Sequence, residues 1–171
     1  MTDEPLAPAR DAFAGDERFE QADENEFTAT KTPFEGEVDL EIQDGTVAYR
    51  VVSRVPMLDS VVAGETVADV VWEGWFETLE RRLEDTPKVT SVETTQPEVR
   101  QEGTKVVVEA TFRDADPTRA PGEAQAIVDY VFGTWMEGLI PGYEYTEAVQ
   151  ALRESAADNY DERNQGADLT L

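Results

Sequence analysis

The sequence predicts an α+β protein in which helices pack on one face of a mainly antiparallel sheet. Two observations predict this class. Strands with alternating apolar and polar residues are joined by short turns, and an amphipathic helix follows each such hairpin. The hairpin-and-helix pattern occurs twice, so we expect two ββα units in pseudo-repeat, with a further helix near each end of the chain.

The first unit is predicted over residues 36–86. Apolar residues alternate with acids from Gly36 to Ile42, and Asp44-Gly45 is a strong signal for a two-residue hairpin turn. The return strand, Thr46 to Val55, should place its apolar residues on one face and its arginines on the other. A preceding strand is expected from Phe27 to Thr32.

The helix of this unit is expected to begin near Thr66, which with Asp69 resembles a capping box, and to end before Pro87. Its apolar residues recur at spacings of three and four, as in a helix that packs on a core. They are Val71, Trp72, Trp75, Phe76, Leu79 and Leu83. The alternative to ordinary core packing is that these aromatic side chains, with Phe132 and Trp135, line a ligand cavity.

The second unit is predicted over residues 88–140. A strand near Val89 to Thr95 precedes a turn at Glu102-Gly103, a strand from Thr104 to Arg113 and a helix from about Gly122. A last amphipathic helix is expected after this unit.

The two units share sequence as well as element order. Residues 69–79 align without gaps over residues 129–139, with five identical positions. The turn segments Gln43–Thr46 and Gln101–Thr104 also align, at a spacing two residues shorter, so a one-residue insertion between them is required. We favour a duplicated unit. The alternative is that two helices in one core converged on Trp and Leu at similar positions.

The expected organisation is one domain with two short extensions. Residues 26–158 should form the α+β domain, since domains commonly have about 100–200 residues. Residues 1–25 should form a short helix, over residues 5–15, and an acidic connector from Gly15 to Asn25. Residues 159–171 should form a solvated tail.

The charge of the chain predicts its solvent. Asp and Glu number 38 against 14 Lys and Arg, a net charge of −24, and the carboxylates run from Asp3 to Asp168. Such self-repulsion destabilises a compact fold unless salt screens it, and in about 1 M salt the screening length is about 3 Å. We expect a cytoplasmic protein of an extreme halophile that requires high salt for stability. Met1–Pro5 has no signal-peptide character, and no apolar run is long enough to span a membrane.

The composition removes most catalytic chemistries. The chain has no His and no Cys, which excludes serine–histidine catalysis, disulfides and His- or thiolate-bound metals. Carboxylate pairs such as Glu73/Glu77 and Asp114/Asp116 could act as acid and base or hold a cation. In a chain this acidic such pairs arise by chance, so we expect no catalytic residue, no cofactor and no metal.

The scarce cations indicate a candidate interaction surface. Four of them fall at outward positions of two strands that we expect to be neighbours: Arg50, Arg54, Lys105 and Arg113. The alternative is that they pair across strands with Glu37, Asp39, Glu41 and Glu109. Nucleic acid is not an expected partner, because phosphates would meet a charge of −24.

The second helix offers another candidate surface on its weakly charged reverse side, at Ala126, Tyr130 and Gly133. A helix that is apolar on two sides is usually buried on two sides. The extra burial could come from the C-terminal helix or from a second subunit, so a homodimer or another protein partner is expected.

Four segments resemble a family of small haloarchaeal proteins of unknown function: Thr32-Pro-Phe34, Tyr49-Arg-Val-Val52, Val55-Pro-Met-Leu-Asp59 and, most specifically, Gly74–Asp85. The likeness covers roughly residues 20 to 155 and implies no catalytic or binding residues. The element order also resembles the type III secretion chaperone-like fold. We conclude that a non-catalytic interaction module is favoured. The alternative is a small-ligand binder or carboxylate-dependent enzyme with a pocket between sheet and helices.

Overall fold

A computed structural model describes residues 4–156 and shows a seven-stranded antiparallel sheet with helices, which confirms the α+β class. The strands are β1 (Phe19–Asp23), β2 (Glu26–Ala29), β3 (Glu35–Gln43), β4 (Thr46–Pro56), β5 (Glu93–Thr94), β6 (Glu98–Glu102) and β7 (Lys105–Arg113). The helices are α1 (Ala7–Ala14), α2 (Leu58–Val61), α3 (Asp69–Leu83), α4 (Ala120–Glu137) and α5, which covers residues 147–156. The strand order is β1-β2-β3-β4-β7, and both β5 and β6 pair with the far side of β7.

The predicted β3–β4 hairpin is present, and it forms the centre of the sheet. Gln43 pairs with Thr46, which leaves Asp44-Gly45 as a two-residue turn. Both turn residues have positive φ, 52° and 79°, the geometry that makes Asp-Gly favourable between twisted strands. The register brings the apolar side of β4 against that of β7, where Tyr49 lies opposite Phe112.

Aromatic rings form the core between the sheet and α1. Phe13 of α1 lies 5.0 Å from the ring of Phe19, 5.3 Å from that of Phe27 and 5.9 Å from that of Tyr49. Tyr49 in turn stacks on Phe112, with ring centroids 4.8 Å apart. Helix α1 is therefore held to the sheet by its single phenylalanine, which is fully buried.

The expected connector from Gly15 to Asn25 is wrong, because it contains strand β1. Only Phe19 of that strand is buried and the other four residues are exposed, so the strand lacks the alternation that sequence reasoning needs. The predicted domain limits stay predictions, and the solvated tail expected from residue 159 lies outside the described residues.

Helix α3 begins later than the capping box suggested. Its N-cap is Ala68, which makes no side-chain cap hydrogen bond, and Asp69 instead accepts a hydrogen bond from Trp72 Nε1 at 3.1 Å. Val67 is buried and holds the preceding segment outside the helix, so Thr66 lies too far upstream to cap it.

The second unit departs from the predicted strands. The strand expected from Val89 to Thr95 is reduced to β5, which follows a 3-10 turn at Thr86–Val89, and β6 was not predicted. Pro97 separates β5 from β6, because proline has no N–H to donate to a sheet. Thr95 maintains the pairing on one side of the break: its N–H donates to the Thr111 carbonyl at 2.9 Å, and its Oγ1 accepts from the Thr111 N–H at 3.0 Å.

The second turn also lies one residue later than predicted. Glu102 pairs with Lys105, so the two turn residues are Gly103 and Thr104. The aligned turn segments of the two units therefore occupy non-equivalent positions. The two hairpins align with each other only when the one-residue insertion between the units is included. Whether the units arose by duplication stays a prediction.

The two matching helices occupy different environments. Helix α4 lies on β4, and the indole N–H of its fully buried Trp135 donates to the Pro56 carbonyl at 2.8 Å. Helix α3 packs against α4, and the indole N–H of its Trp75 is buried without an acceptor among residues 4–156. Tryptophans at aligned positions thus have different partners.

Candidate functional site

The four predicted sheet cations lie where the alternation placed them, on the outward face of β4 and β7. Arg54 lies opposite Val107, Lys105 opposite Pro56 and Arg113 opposite Ala48. The face they share is directed away from the aromatic core.

Each of these cations is paired with an acid. Arg50 contacts Asp39 at 2.6 Å and Glu109 at 3.1 Å, bridging β3 to β7 across β4. The hydrogen bond to Asp39 raises the pKa of the Arg50 guanidinium, and the charge of Glu109 adds to the effect. Arg54 contacts Glu37 at 2.9 Å. The central part of the face is therefore charge-compensated within the sheet.

The other two cations, Lys105 and Arg113, are also paired with acids. Lys105 forms an ion pair with Glu35. Arg113 donates to the side-chain carbonyl of Gln43 at 2.9 Å, and its guanidinium lies 3.9 Å from the Asp44 carboxylate. The alternative interpretation, in which these cations pair with acids across strands, therefore agrees with the structure.

The outward face also buries apolar residues that sequence reasoning missed. Val52 and Val107 are 2% and 0% exposed, although both lie on the face that carries the arginines. In the strand register Arg54 and Arg100 flank Val107 on its two sides, and long arginine stems can cover apolar surface while their heads stay in water. The signal was present in the sequence: Val51-Val52 and Val106-Val107-Val108 are uninterrupted apolar runs.

The second candidate surface, on α4, is covered in part by α3. The Tyr130 hydroxyl donates to the Arg82 carbonyl at 2.9 Å, in the last turn of α3, and Ala126 is half-buried. The covering element is therefore α3, whereas we had expected the C-terminal helix or a second subunit. A side chain added at Gly133 would meet no atom within 4 Å. Because α4 packs on the aromatic side of the sheet, the structure does not join these residues to the four sheet cations.

A groove of about 630 Å³ opens at one end of the sheet, where the start of β3, the end of β4, helix α2 and the β6–β7 turn meet. Its walls include the apolar Phe34, Val55 and Val61, and its charged residues are Arg54, Lys105 and Glu35. Two of the four predicted cations are therefore brought together in one concave site. Sequence reasoning could not find the groove, since its walls come from three separate stretches of the chain.

The groove is held in shape by contacts with the core. The ring of Phe34 packs edge-on against Trp135 at 4.9 Å and against Phe132 at 5.8 Å. On the opposite wall the Ser60 hydroxyl of α2 donates to the Met57 carbonyl at 2.7 Å. These contacts fix the apolar walls, while the charged side chains at the rim are partly exposed: 30% for Arg54 and 45% for Lys105.

The space between sheet and helices, where the alternative function requires a pocket, is occupied by side chains at its centre. Trp135, Tyr49, Phe13 and Phe112 fill this space and are fully buried. Half of the predicted stripe of α3 is buried, namely Trp75, Leu79 and Leu83. The other half, Val71, Trp72 and Phe76, is partly buried against the core.

Residues 14–155 match the model of a family described as a family of unknown function, DUF5813. The chain belongs to the DUF5813 family. The match begins at the last residue of α1 and includes every residue of the groove. No curated protein matches this DUF5813 chain, and no solved structure matches it. Haloarchaeal origin and likeness to the secretion chaperone fold stay predictions.

Two kinds of structural feature were not found in the described part of this DUF5813 protein. Residues 4–156 contain no cluster of three or more His, Cys, Asp or Glu side chains arranged to hold a metal ion. Within the same residues, no helix is both long enough and apolar enough to cross a membrane.

Proposed function

We propose that this protein is a non-catalytic binding module of a halophile's cytoplasm. Its binding surface is the groove lined by Phe34, Val61, Arg54 and Lys105. The partner is a protein segment that presents an apolar side chain next to a carboxylate. The observation that carries the proposal is the combination of apolar walls and two cations in one concave site, on a chain whose net charge is −24.

The apolar walls supply the area that a partner side chain can bury. The apolar residues that line the groove are Pro33, Phe34, Val55, Pro56 and Val61. A groove with mainly apolar walls and few polar groups is the usual form of a binding site. Because Phe34 is held by two aromatic rings, the groove exists before the partner arrives.

The cations select a carboxylate. Arg54 uses Nη1 for Glu37, which leaves other guanidinium N–H groups, and Lys105 has three ammonium donors and one carboxylate partner, Glu35. Charge-assisted hydrogen bonds from such groups to a carboxylate are stronger than those between neutral groups. The groove walls hold two cations and one acid, and Glu37, the acid paired with Arg54, lies outside them, so the groove repels an anion less than the rest of the chain does.

The test uses a fluorescein-labelled hexapeptide of alternating Leu and Glu, titrated with the protein in 2 M KCl and followed by anisotropy. We expect saturable binding that weakens at least tenfold in the double variant Arg54→Gln, Lys105→Gln. The matched control is Arg100→Gln, which removes a cation of the same face that lies outside the groove. A hexapeptide of alternating Leu and Gln should bind more weakly.

Backbone NMR shifts locate the peptide. We expect them to concentrate in residues 33–35, 54–61 and 104–105. Equal binding by the double variant and the wild type, or shifts confined to α4, would show that the groove is not the binding surface.

A further inference from the structure

A second cavity, of about 350 Å³, lies between α3 and the end of α4 and is separate from the groove. Trp75 and Arg82 of α3 line one wall, and Glu137 and Gly138 line the other. The remaining walls are mainly apolar, with Leu79, Leu139 and Ile140. The cavity thus combines apolar surface with charges of both signs.

The buried donor in this cavity is the indole N–H of Trp75. The residue is 6% exposed, and its Nε1 atom has no hydrogen-bond acceptor among residues 4–156. Trp135, at the aligned position of α4, does have an acceptor, the Pro56 carbonyl at 2.8 Å. Since a buried polar group without a partner is unfavourable, the Trp75 N–H is a donor that a bound oxygen atom would satisfy.

Two glycines line the cavity. The donor itself, Trp75 Nε1, has less than 1 Å² of exposed surface, so a bound oxygen atom reaches it only after the indole shifts. A Cβ built on Gly138 would lie 3.6 Å from Trp75 Nε1, which is ordinary van der Waals contact. The backbone of Gly138 has a φ of −83°, so this position does not require glycine for its conformation. Gly74, on the facing helix, has no atom within 4 Å of an added Cβ. The two glycines therefore contribute no side chain to the cavity that they line.

Two charged residues of opposite sign also line the cavity, Arg82 and Glu137. Arg82 and Glu137 are both exposed, on opposite helices, and neither forms a salt bridge within residues 4–156. Arg82 and the Trp75 N–H are donors suited to a carboxylate, whereas Glu137 is an acceptor suited to an ammonium group. The apolar walls are suited to an aliphatic side chain.

We propose that this cavity binds a free apolar α-amino acid. Its carboxylate accepts hydrogen bonds from Trp75 Nε1 and Arg82, its ammonium group contacts Glu137, and its side chain packs on Leu139 and Ile140. This site is independent of the proposed groove, and either can exist without the other.

The test probe is L-leucine, titrated into ¹⁵N-labelled protein in 2 M KCl. The three tryptophans give three indole N–H signals, and Trp75→Phe assigns that of Trp75. We expect leucine to move the Trp75 signal downfield in a saturable manner, as a new hydrogen bond does, while the Trp135 signal stays in place. Acetate and ethylammonium, each carrying one of the two charges, should require at least tenfold higher concentrations.

The decisive variant is Gly138→Ala, whose methyl group occupies the space beside the indole without a steric clash. We expect it to weaken leucine binding at least tenfold, while Gly133→Ala, a glycine-to-alanine change elsewhere on α4, leaves binding unchanged. Glu137→Gln should weaken leucine binding but not acetate binding. An unmoved Trp75 signal at 100 mM leucine, or equal binding by Gly138→Ala and wild type, overturns the proposal.

Discussion

Tyr49 lies at the centre of the sheet with its ring stacked on Phe112, and its hydroxyl group has no hydrogen-bond partner among residues 4–156. Burial raises the pKa of Tyr49 to about 12, and the charges of Asp114 and Asp116 add to the shift. The neutral phenol is thus favoured in the folded state. A tyrosine in the unfolded chain ionises near pH 10.

We predict that stability falls in alkaline solution because of this residue. Below pH 10 Tyr49 is neutral in both states and contributes nothing to the pH dependence, whereas between pH 10 and 12 only the unfolded state loses the proton. Tyr49→Phe removes this effect, so wild type should lose about 2 kcal/mol more than the variant by pH 12. Urea unfolding at a series of pH values measures the difference, and parallel pH profiles would contradict the assignment.

At neutral pH, Tyr49→Phe should leave the free energy of unfolding unchanged or raise it slightly, because the lost hydroxyl has no protein partner to leave behind. This second readout separates the effect of ionisation from a loss of packing.

Gly36 of β3 lies close to side chains of both β2 and α4. An added Cβ would lie 3.2 Å from the Ala29 methyl group and 3.2 Å from a methyl group of Val128. Both neighbours are themselves buried, so neither has free space to move into.

We predict that Gly36→Ala lowers the free energy of unfolding by about 1–3 kcal/mol, the usual cost of overpacking a core. Gly133→Ala is the matched control, since it introduces the same methyl group into open space and raises helix propensity, by up to about 1 kcal/mol. Urea unfolding in 2 M KCl measures both. A neutral Gly36→Ala would show that α4 can move away from the sheet at little cost.

At the scale of elements, the outward face of the sheet is an array of ion pairs whose members differ in burial. The two carboxylates that contact Arg50 are 19% and 21% exposed, whereas Glu102, the close partner of Arg100, is 53% exposed. Removing Arg50 therefore leaves the poorly solvated Asp39 without its cation and Glu109 with only the more distant Arg100, at 4.0 Å. Removing Arg100 leaves its close partner in water.

We predict that Arg50→Gln lowers the free energy of unfolding by about 1 kcal/mol, while Arg100→Gln changes it by less than about 0.5 kcal/mol. Urea unfolding in 2 M KCl is again the measurement, because an uncharged denaturant keeps the ionic strength the same throughout the titration. Equal losses in the two variants would mean that the array stabilises only through net charge.

The elements that the sequence predicted well are those whose local signals agree. The β3–β4 hairpin combines strict alternation with Asp44-Gly45, and α4 combines a broad apolar stripe with a length of several turns. Strand β1 has one buried residue and β6 has none, so neither carries a period to detect. The predicted cap of α3 at Thr66 is wrong, because the N-cap is Ala68, which follows the buried Val67.

The candidate sites also contain features that the sequence predicts and features that only tertiary packing decides. The outward positions of Arg54 and Lys105 follow from alternation alone, but their meeting in a groove depends on the placement of Phe34 and Ser60 from other stretches of the chain. Trp75 and Trp135 have matching local sequences, and only tertiary packing decides which indole finds an acceptor.

At the scale of the whole molecule, the charge of −24 acts on the fold through the solvent. The described ion pairs compensate the sheet face locally, yet most carboxylates remain without a cation, since acids outnumber cations 38 to 14. Their mutual repulsion extends over about 10 Å in 0.1 M salt and about 3 Å in 1 M salt.

We predict that the melting temperature falls by 10 °C or more when KCl is lowered from 2 M to about 0.1 M, where repulsion is longest in range. Circular dichroism melts measure it. Sucrose at matched osmolality is the control, because it stabilises by exclusion without screening charge. A melting temperature independent of KCl would contradict halophilic adaptation.

Concentrated salt screens the repulsion that keeps separate molecules of an acidic protein apart. Colloidal stability must then come from the shape of the molecule, and exposed sheet edges are the usual sites of aggregation. One edge of this sheet is interrupted at Pro97 and flanked by Glu98, and the other, β1, is irregular between Gln21 and Asp23. Neither edge offers a continuous row of backbone donors and acceptors. In concentrated salt, where charge is screened, we expect the break that divides β5 from β6 to limit edge-to-edge pairing between molecules.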